Sequence, residues 1–147
     1  MPNINVETKI NKPASEVFSR FGEGLFEELI PPFAKVERND GIELNAYISV
    51  GFKIPFMKTW HSKIVDKNKD SESFWFTDKG ISGMPFGIKK WTHIHRVKKY
   101  GENQCAIVDE IYFETNYKLL DILCKFIFTQ AMKSRKKTYK RFFENEV

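Results

Sequence analysis

Cysteine is scarce in this chain: Cys105 and Cys124 are the only two in 147 residues. They stand in no paired spacing, which argues against a disulfide scaffold or a zinc-ribbon motif. Their isolated apolar settings predict buried free thiols. No apolar run approaches the length of a membrane span. The opening residues, MPNINVETKIN, lack the apolar core of a secretory signal. The expectation is a soluble protein of a reducing compartment, the cytoplasm. There is no internal repeat, low-complexity tract or linker, so residues 1–147 are expected to form a single domain. Nor is there a recognisable nucleic-acid-binding module, and no nucleic-acid partner is expected.

Apolar residues make up 41% of the chain and charged residues 29%, an ordinary globular balance. A chain of this length buries roughly 70% of its unfolded surface, enough for a core and a cavity. Phenylalanine is abundant, with 14 copies that can fill a core or line an apolar pocket. The net charge of +5 is uneven: Lys133–Arg141 reads KSRKKTYKR, six cations in nine residues. The reading adopted is a solvated helix end, where cations complement the negative pole of the helix dipole. Transient contact with an anionic membrane surface is the alternative.

Ile4, Val6, Thr8 and Ile10 alternate with Asn3, Asn5, Glu7 and Lys9, the pattern of a half-buried strand. Pro13-Ala14-Ser15-Glu16 opens a first short helix, and Leu25–Ile30 forms a second, stopped by Pro31-Pro32. Six strands are then expected. The first is Ala34–Arg38, with a tight hairpin turn at Asn39-Asp40-Gly41, and Ile42–Val50 follows. Next come Lys58–Asp66, Glu72–Asp78, Lys89–Lys98 and Gln104–Thr115. From Lys118 to Val147 no Gly or Pro intervenes. Leu119, Leu120, Leu123, Phe126, Ile127, Ala131 and Phe142 recur at helical steps, predicting one long helix with an apolar flank. The core is expected to join Ile4, Val6, Ile10, Ile107 and Ile111 to Leu123 and Ile127. The architecture predicted is α+β. A curved antiparallel sheet of about seven strands wraps a long C-terminal helix, with two short helices after the first strand.

The strand KKWTHIHRV places Trp91, His93, His95 and Val97 on one face. On the next strand Cys105, Ile107, Asp109, Ile111 and Phe113 share a face, and a hairpin around Gly101 sets Asp109 opposite or diagonal to one of the histidines. The inner face thus carries two imidazoles and a carboxylate among Trp60, Ser62, Phe74, Phe76, Trp91 and Phe113, the predicted ligand-binding set. His93, His95 and Asp109 are also the catalytic candidates, as a general base polarised by a carboxylate. Two His and one carboxylate can hold iron or zinc as well. The reading adopted is polar anchors in an apolar cavity, with no metal and no cofactor, because a buried carboxylate needs a donor partner. His61 and Trp75 fall on the outer face. Strand parity also gathers three Pro-Phe connections at one end of the sheet. There Ile54, Phe56, Met57, Met84 and Phe86, beside Leu119 and Leu120, form either an apolar mouth or a core plug.

With its segments INKPASEVF, WTHIHRV and IVDEIYF and its final helix, the chain resembles the START-related helix-grip superfamily, also called SRPBCC, over essentially its whole length. That group includes lipid-transfer domains, pollen-allergen-type proteins and polyketide cyclase/dehydrase-like proteins. The resemblance implies a cavity between sheet and helix for a small hydrophobic or amphipathic molecule, and supplies no catalytic motif to carry over. Three functions stay open: ligand binding or transport; a cyclase or dehydratase using a His–Asp pair; and a module that contacts protein or membrane surfaces.

Overall fold

The computed structural model describes residues 2–22 and 24–145. Strand β1 (Asn3–Ile10) keeps the predicted alternation, burying Ile4, Val6, Thr8 and Ile10. Helix α1 (Ala14–Ser19) follows Pro13, whose φ of −61° suits helix entry and whose carbonyl accepts from the Val17 amide at 3.1 Å. Helix α2 (Leu25–Leu29) buries Leu25, Phe26 and Leu29. Six strands succeed it: β2 (Ala34–Asn39), β3 (Tyr47–Phe52), β4 (Trp60–Lys69), β5 (Ser73–Ser82), β6 (Ile88–Lys99) and β7 (Cys105–Thr115). Helix α3 (Lys118–Glu144) ends the fold; Glu146 and Val147, included in the predicted helix, lie outside the described residues.

All strand pairs are antiparallel, in the order β1-β7-β6-β5-β4-β3-β2. The first strand pairs with the last, so the chain's two ends meet in one curled half-barrel. Register shifts on β2, β4 and β6 mark the places where extra residues bend the sheet. This is the predicted helix-grip architecture.

One strand begins later than expected. Ile42, Leu44 and Ala46 alternate with polar residues, yet the backbone from Gly41 to Ala46 is irregular, Leu44 is exposed and Asn45 has φ 71°. The Asp40 amide bonds the Tyr47 carbonyl at 3.0 Å, so the loop closes around six residues rather than at Asn39-Asp40-Gly41. Ala46 and Asn45 bond Ile64 on β4 instead, which takes them out of the hairpin.

The apolar flank predicted for α3 is also displaced. Leu123 is 50% exposed, and Leu119, Phe126 and Ala131 also point outward. The buried face is Cys124, Met132, Tyr139 and Phe143, with Phe128 half-buried beside them. The reason lies in the two halves of the helix. From Leu119 to Phe128 it is apolar nearly all round, so spacing alone does not choose a face. The stripe through Leu119, Leu123 and Phe126 runs on into Lys133 and Lys137, whereas the stripe through Cys124 and Phe128 continues through Met132 to Tyr139 and Phe143, with Arg135 its one cation. Only the second can be buried along the whole helix.

The core has two apolar halves. One packs Phe21, Phe76, Tyr139 and Phe143 beneath α1 and α2; the other packs Ile4, Ile111, Trp91, Phe113, Cys124 and Met132. The residues between them along the strands are polar: Thr8 on β1, Asp109 on β7, His93 and His95 on β6, and Asp78 on β5, all buried.

The two later Pro-Phe connections hold their phenylalanines in the left-handed region, with φ 70° at Phe56 and 60° at Phe86. In Ile54-Pro55-Phe56-Met57 the Met57 amide reaches the Ile54 carbonyl at 3.3 Å, so Phe56 occupies the turn position where glycine is normal. Phe56 is fully exposed and gains no burial in return. Phe56→Gly should therefore leave stability unchanged or raise it by up to about 1 kcal/mol, read from urea denaturation. A loss of more than that would show that the ring makes stabilising contacts.

Candidate functional site

The polar layer is built from adjacent strands. Register sets Asp78 opposite His93 and Asp109 opposite His95, but the short hydrogen bonds run diagonally. His93 Nε2 donates to Asp109 Oδ1 at 2.8 Å, and His95 Nε2 donates to Asp78 Oδ2 at 2.5 Å. The remaining nitrogens face the other carboxylates more distantly: His93 Nδ1 lies 3.9 Å from Asp78 and His95 Nδ1 lies 4.0 Å from Asp109. The two imidazoles stack at 3.7 Å, 23° from parallel. Phe76 covers His95 at 4.4 Å, and the Trp91 ring stands edge-on beyond His93.

Helix α3 closes the layer from above. The Tyr139 hydroxyl donates to the Asp109 carboxylate, 3.1–3.2 Å from its two oxygens, and the Arg135 guanidinium acts on both carboxylates and on that hydroxyl. Both residues belong to KSRKKTYKR. The expected solvated helix end therefore holds for its lysines but not for Tyr139, which is fully buried.

Burial alone would raise the Asp78 and Asp109 carboxyls. The imidazole hydrogen bonds, with the electrostatic influence of the two histidines and Arg135, outweigh it and hold both below the usual carboxylate range. Burial, then repulsion from His93, pushes His95 down to about 4, so this ring is neutral at pH 7. Burial and the Asp109 charge push the Tyr139 hydroxyl upward, keeping it a donor. With its Nε2–H directed at Asp78, neutral His95 carries a lone pair on Nδ1, and that buried atom has no hydrogen-bond partner. The layer is sealed unevenly: the Asp109 side chain is 1% exposed and that of Asp78 12%. Asp78 is thus the less deeply buried of the two carboxylates.

Asp78, His93 and His95 bring potential metal-binding atoms within 4.8 Å of one another. The fit is poor for a single ion. Imidazole lone pairs lie in the ring planes, and two rings stacked at 3.7 Å direct them along nearly parallel planes. Both Nε2 atoms are also committed to carboxylates.

The structure brings His93, His95 and Asp109 together and places Trp60, Trp91 and Phe113 on one side of them. Trp60 meets Trp91 edge to face at 4.9 Å, and Phe128 of α3 packs on Trp91 at 4.9 Å. Buried Ser62 sits on the neighbouring strand, opposite Gly80. Phe74 and Phe76 lie in the other half of the core, against Phe18, Phe21 and Phe26. At the predicted mouth, Met84 packs near Gly80 and Trp91, Gly87 lies against Leu120, and Phe86 faces Phe128. Ile54, Phe56 and Met57 form the next connection at the same end, with the first two exposed, and Leu119 turns to solvent. His61 is exposed and its Nδ1 lies 2.7 Å from the Ser49 hydroxyl; Trp75 is on the outer face, bonded to Asp66 and covered by Arg96. Both cysteines are buried free thiols.

Three members of the site were missing from the sequence reading. Asp78 continues the inward series Phe74, Phe76 and would have followed from parity. Arg135 and Tyr139 lie four apart on the helix, in line with Met132 and Phe143, and the surrounding lysines hid them. Two surface depressions, of about 390 and 110 Å³, lie elsewhere. The larger is on the outer sheet face around Arg96 and Glu110, the smaller at Lys9 and Tyr100. Between sheet and α3 the space is occupied by rings.

No protein-family model and no curated protein matches the sequence. Solved structures match the fold across nearly the whole chain. Truncated norcoclaurine synthase from Thalictrum flavum superposes with a TM-score of 0.73 at 15% identity, over 99% of this chain and 95% of that one. XoxI from Bacillus cereus gives 0.71 at 15% identity, over 99% and 97%. The Zhui aromatase/cyclase from Streptomyces sp. R1128 gives 0.69 at 12% identity, over 94% and 90%. All are helix-grip proteins, and the fold of this chain is theirs.

Proposed function

We propose that this protein binds a small amphipathic molecule between the sheet and the first half of α3, with the ligand's polar end at Asp78 and His93. The observation that carries the reading is the uneven seal of the polar layer. Asp78 is the less deeply buried of its two carboxylates, and it is paired across the strands with His93, beside which stands Trp91 of the aromatic end that Trp60 and Phe128 complete. An ionised carboxylate only accepts hydrogen bonds, so the polar end is a donor: an amine, an alcohol or a phenol. The apolar body rests on the tryptophans. Trp60 Nε1, buried without a partner, supplies one further donor for a ligand oxygen.

Rings fill this space, so binding requires a segment to move. In the Gly83–Gly87 connection Met84 packs near Trp91, and Gly83 lies against the Thr59 and Trp60 backbone. Its two glycines have φ 76° and 71°, and it lies between β5 and β6, so displacing it leaves the strand ladders in place. The norcoclaurine synthase fold-mate was solved with dopamine and hydroxybenzaldehyde, small aromatic molecules with hydroxyl or amine groups, which accords with this ligand class. A dansyl-labelled alkylamine should bind saturably at one site, read by energy transfer from Trp60 and Trp91. A linear, non-saturating signal would reject an internal site.

A second reading is favoured by the unpartnered Nδ1 of His95. Oriented by Asp78 and neutral at pH 7, it can accept a proton from a bound ligand, and the two carboxylates then stabilise the imidazolium. In that case His95→Gln would keep ligand binding and abolish turnover.

A further inference from the structure

The outward side of α3 changes character along its length. Leu119, Ile122, Leu123 and Phe126, spaced as one helical stripe, are all exposed. Continuing the same face toward the C-terminus come Lys133, Lys137, Lys140 and Arg141. From Lys118 to Phe143 the helix carries eight Lys and Arg against one acid, Asp121. That acid is already engaged, accepting from the Thr115 amide and hydroxyl at 2.8 Å. The apolar stripe begins at the end of the sheet where Phe86 and Phe56 protrude. Both are exposed and both hold φ values that disfavour any residue but glycine. At Phe56, which gains no burial, a bulky ring kept at a strained turn tip has a cost that folding does not recover.

We propose that this end of the molecule docks on a lipid bilayer containing anionic headgroups. Phe56, Phe86 and the first turns of α3 enter the acyl boundary, and the basic half of the same helix face rests on the headgroups. The shape selects this occupant. Separate protruding rings and a convex helix face need no matching cavity in a fluid apolar medium, whereas a folded partner would have to supply one for each. The charge selects it too. A second copy packing the same face antiparallel would bring basic halves over apolar ones, while an anionic surface is complementary to every cation beside the stripe. The inference stands independently of what the interior binds.

The test is co-sedimentation of the intact protein with phosphatidylcholine vesicles, with and without phosphatidylserine. Binding should be about tenfold or more tighter with the anionic lipid and should weaken as salt rises. Phe56→Gly, and the double variant Leu119→Ser/Phe126→Ser, should melt no lower than the parent yet lose most of the binding. Lys133→Glu/Lys137→Glu should erase the preference for phosphatidylserine. Absence of binding to either vesicle would overturn the proposal, as would equal affinity for both or binding indifferent to these substitutions. Sedimentation showing a dimer that Leu119→Ser/Phe126→Ser dissociates would also overturn it, by assigning the face to a second copy.

Discussion

Replacing Asp109 with Ala should destabilise the protein by about 3–5 kcal/mol, the loss typical of breaking a buried charged pair from one side. The carboxylate is fully buried and accepts from His93 and from the Tyr139 hydroxyl. Without it, both donors remain inside the protein with no water to replace it, and the charge balance with Arg135 is lost. Asp109→Asn keeps an acceptor of the same shape and should lose less, about 1–3 kcal/mol. Urea denaturation at pH 7 measures both, with an unchanged m-value certifying that the native state is compared. If the two variants lost equal stability, or Asp109→Ala lost under about 1 kcal/mol, the polar layer would not be the integral part of the core described above.

The second large effect is in the response to acid. His95 stays neutral in the folded protein down to about pH 4, while in the unfolded chain it protonates near its ordinary 6.5. Between these values the unfolded state binds the extra proton, so stability falls as pH is lowered through that window, by at most about 3 kcal/mol. Asp78 and Asp109 act lower. Their depressed values contribute stability that is complete above the unfolded carboxyl value near 3.8 and is lost as pH falls below it. Denaturation free energies measured from pH 7 to 4 should therefore decline, then drop more steeply under acid conditions. His95→Gln still presents an amide donor to Asp78 and should flatten the decline between 6.5 and 4. An unchanged slope in that variant would place the titrating group elsewhere.

Much of this arrangement was legible because strands convert parity directly into position. Alternation in β1, β6 and β7 was enough to orient Trp91, His93, His95 and Asp109, and the polar turn around Gly101 fixed the hairpin that joins β6 to β7. What alternation does not carry is which of two diagonal partners a histidine chooses. That depends on side-chain reach, and Asp109 bonds His93 although His95 is its opposite neighbour. Helix α3 was harder for a different reason. An apolar stripe is recognised by contrast, and Leu119–Phe128 has little. Tyr139 and Arg135 were lost among lysines, where composition argued for solvent while the helical series Cys124, Phe128, Met132, Arg135, Tyr139 and Phe143, at steps of four and three, argued for one face. The β3 error was local. Ile42, Leu44 and Ala46 have the right spacing, but backbone bonds from Asn45 and Ala46 to Ile64 claim them first.

The central claim is that an amphipathic ligand places a hydrogen-bond donor on Asp78. Its most direct test is a titration comparing a dansyl-labelled alkylamine with the dansyl-labelled fatty acid of equal length, on the parent protein and on Asp78→Asn. The parent should bind the amine at least about tenfold more tightly than the acid, because the acid brings a second anion to a buried carboxylate. In Asp78→Asn the preference should vanish while the apolar contribution remains, leaving the two probes alike. Equal affinities in the parent, or a preference that survives in Asp78→Asn, would contradict the account.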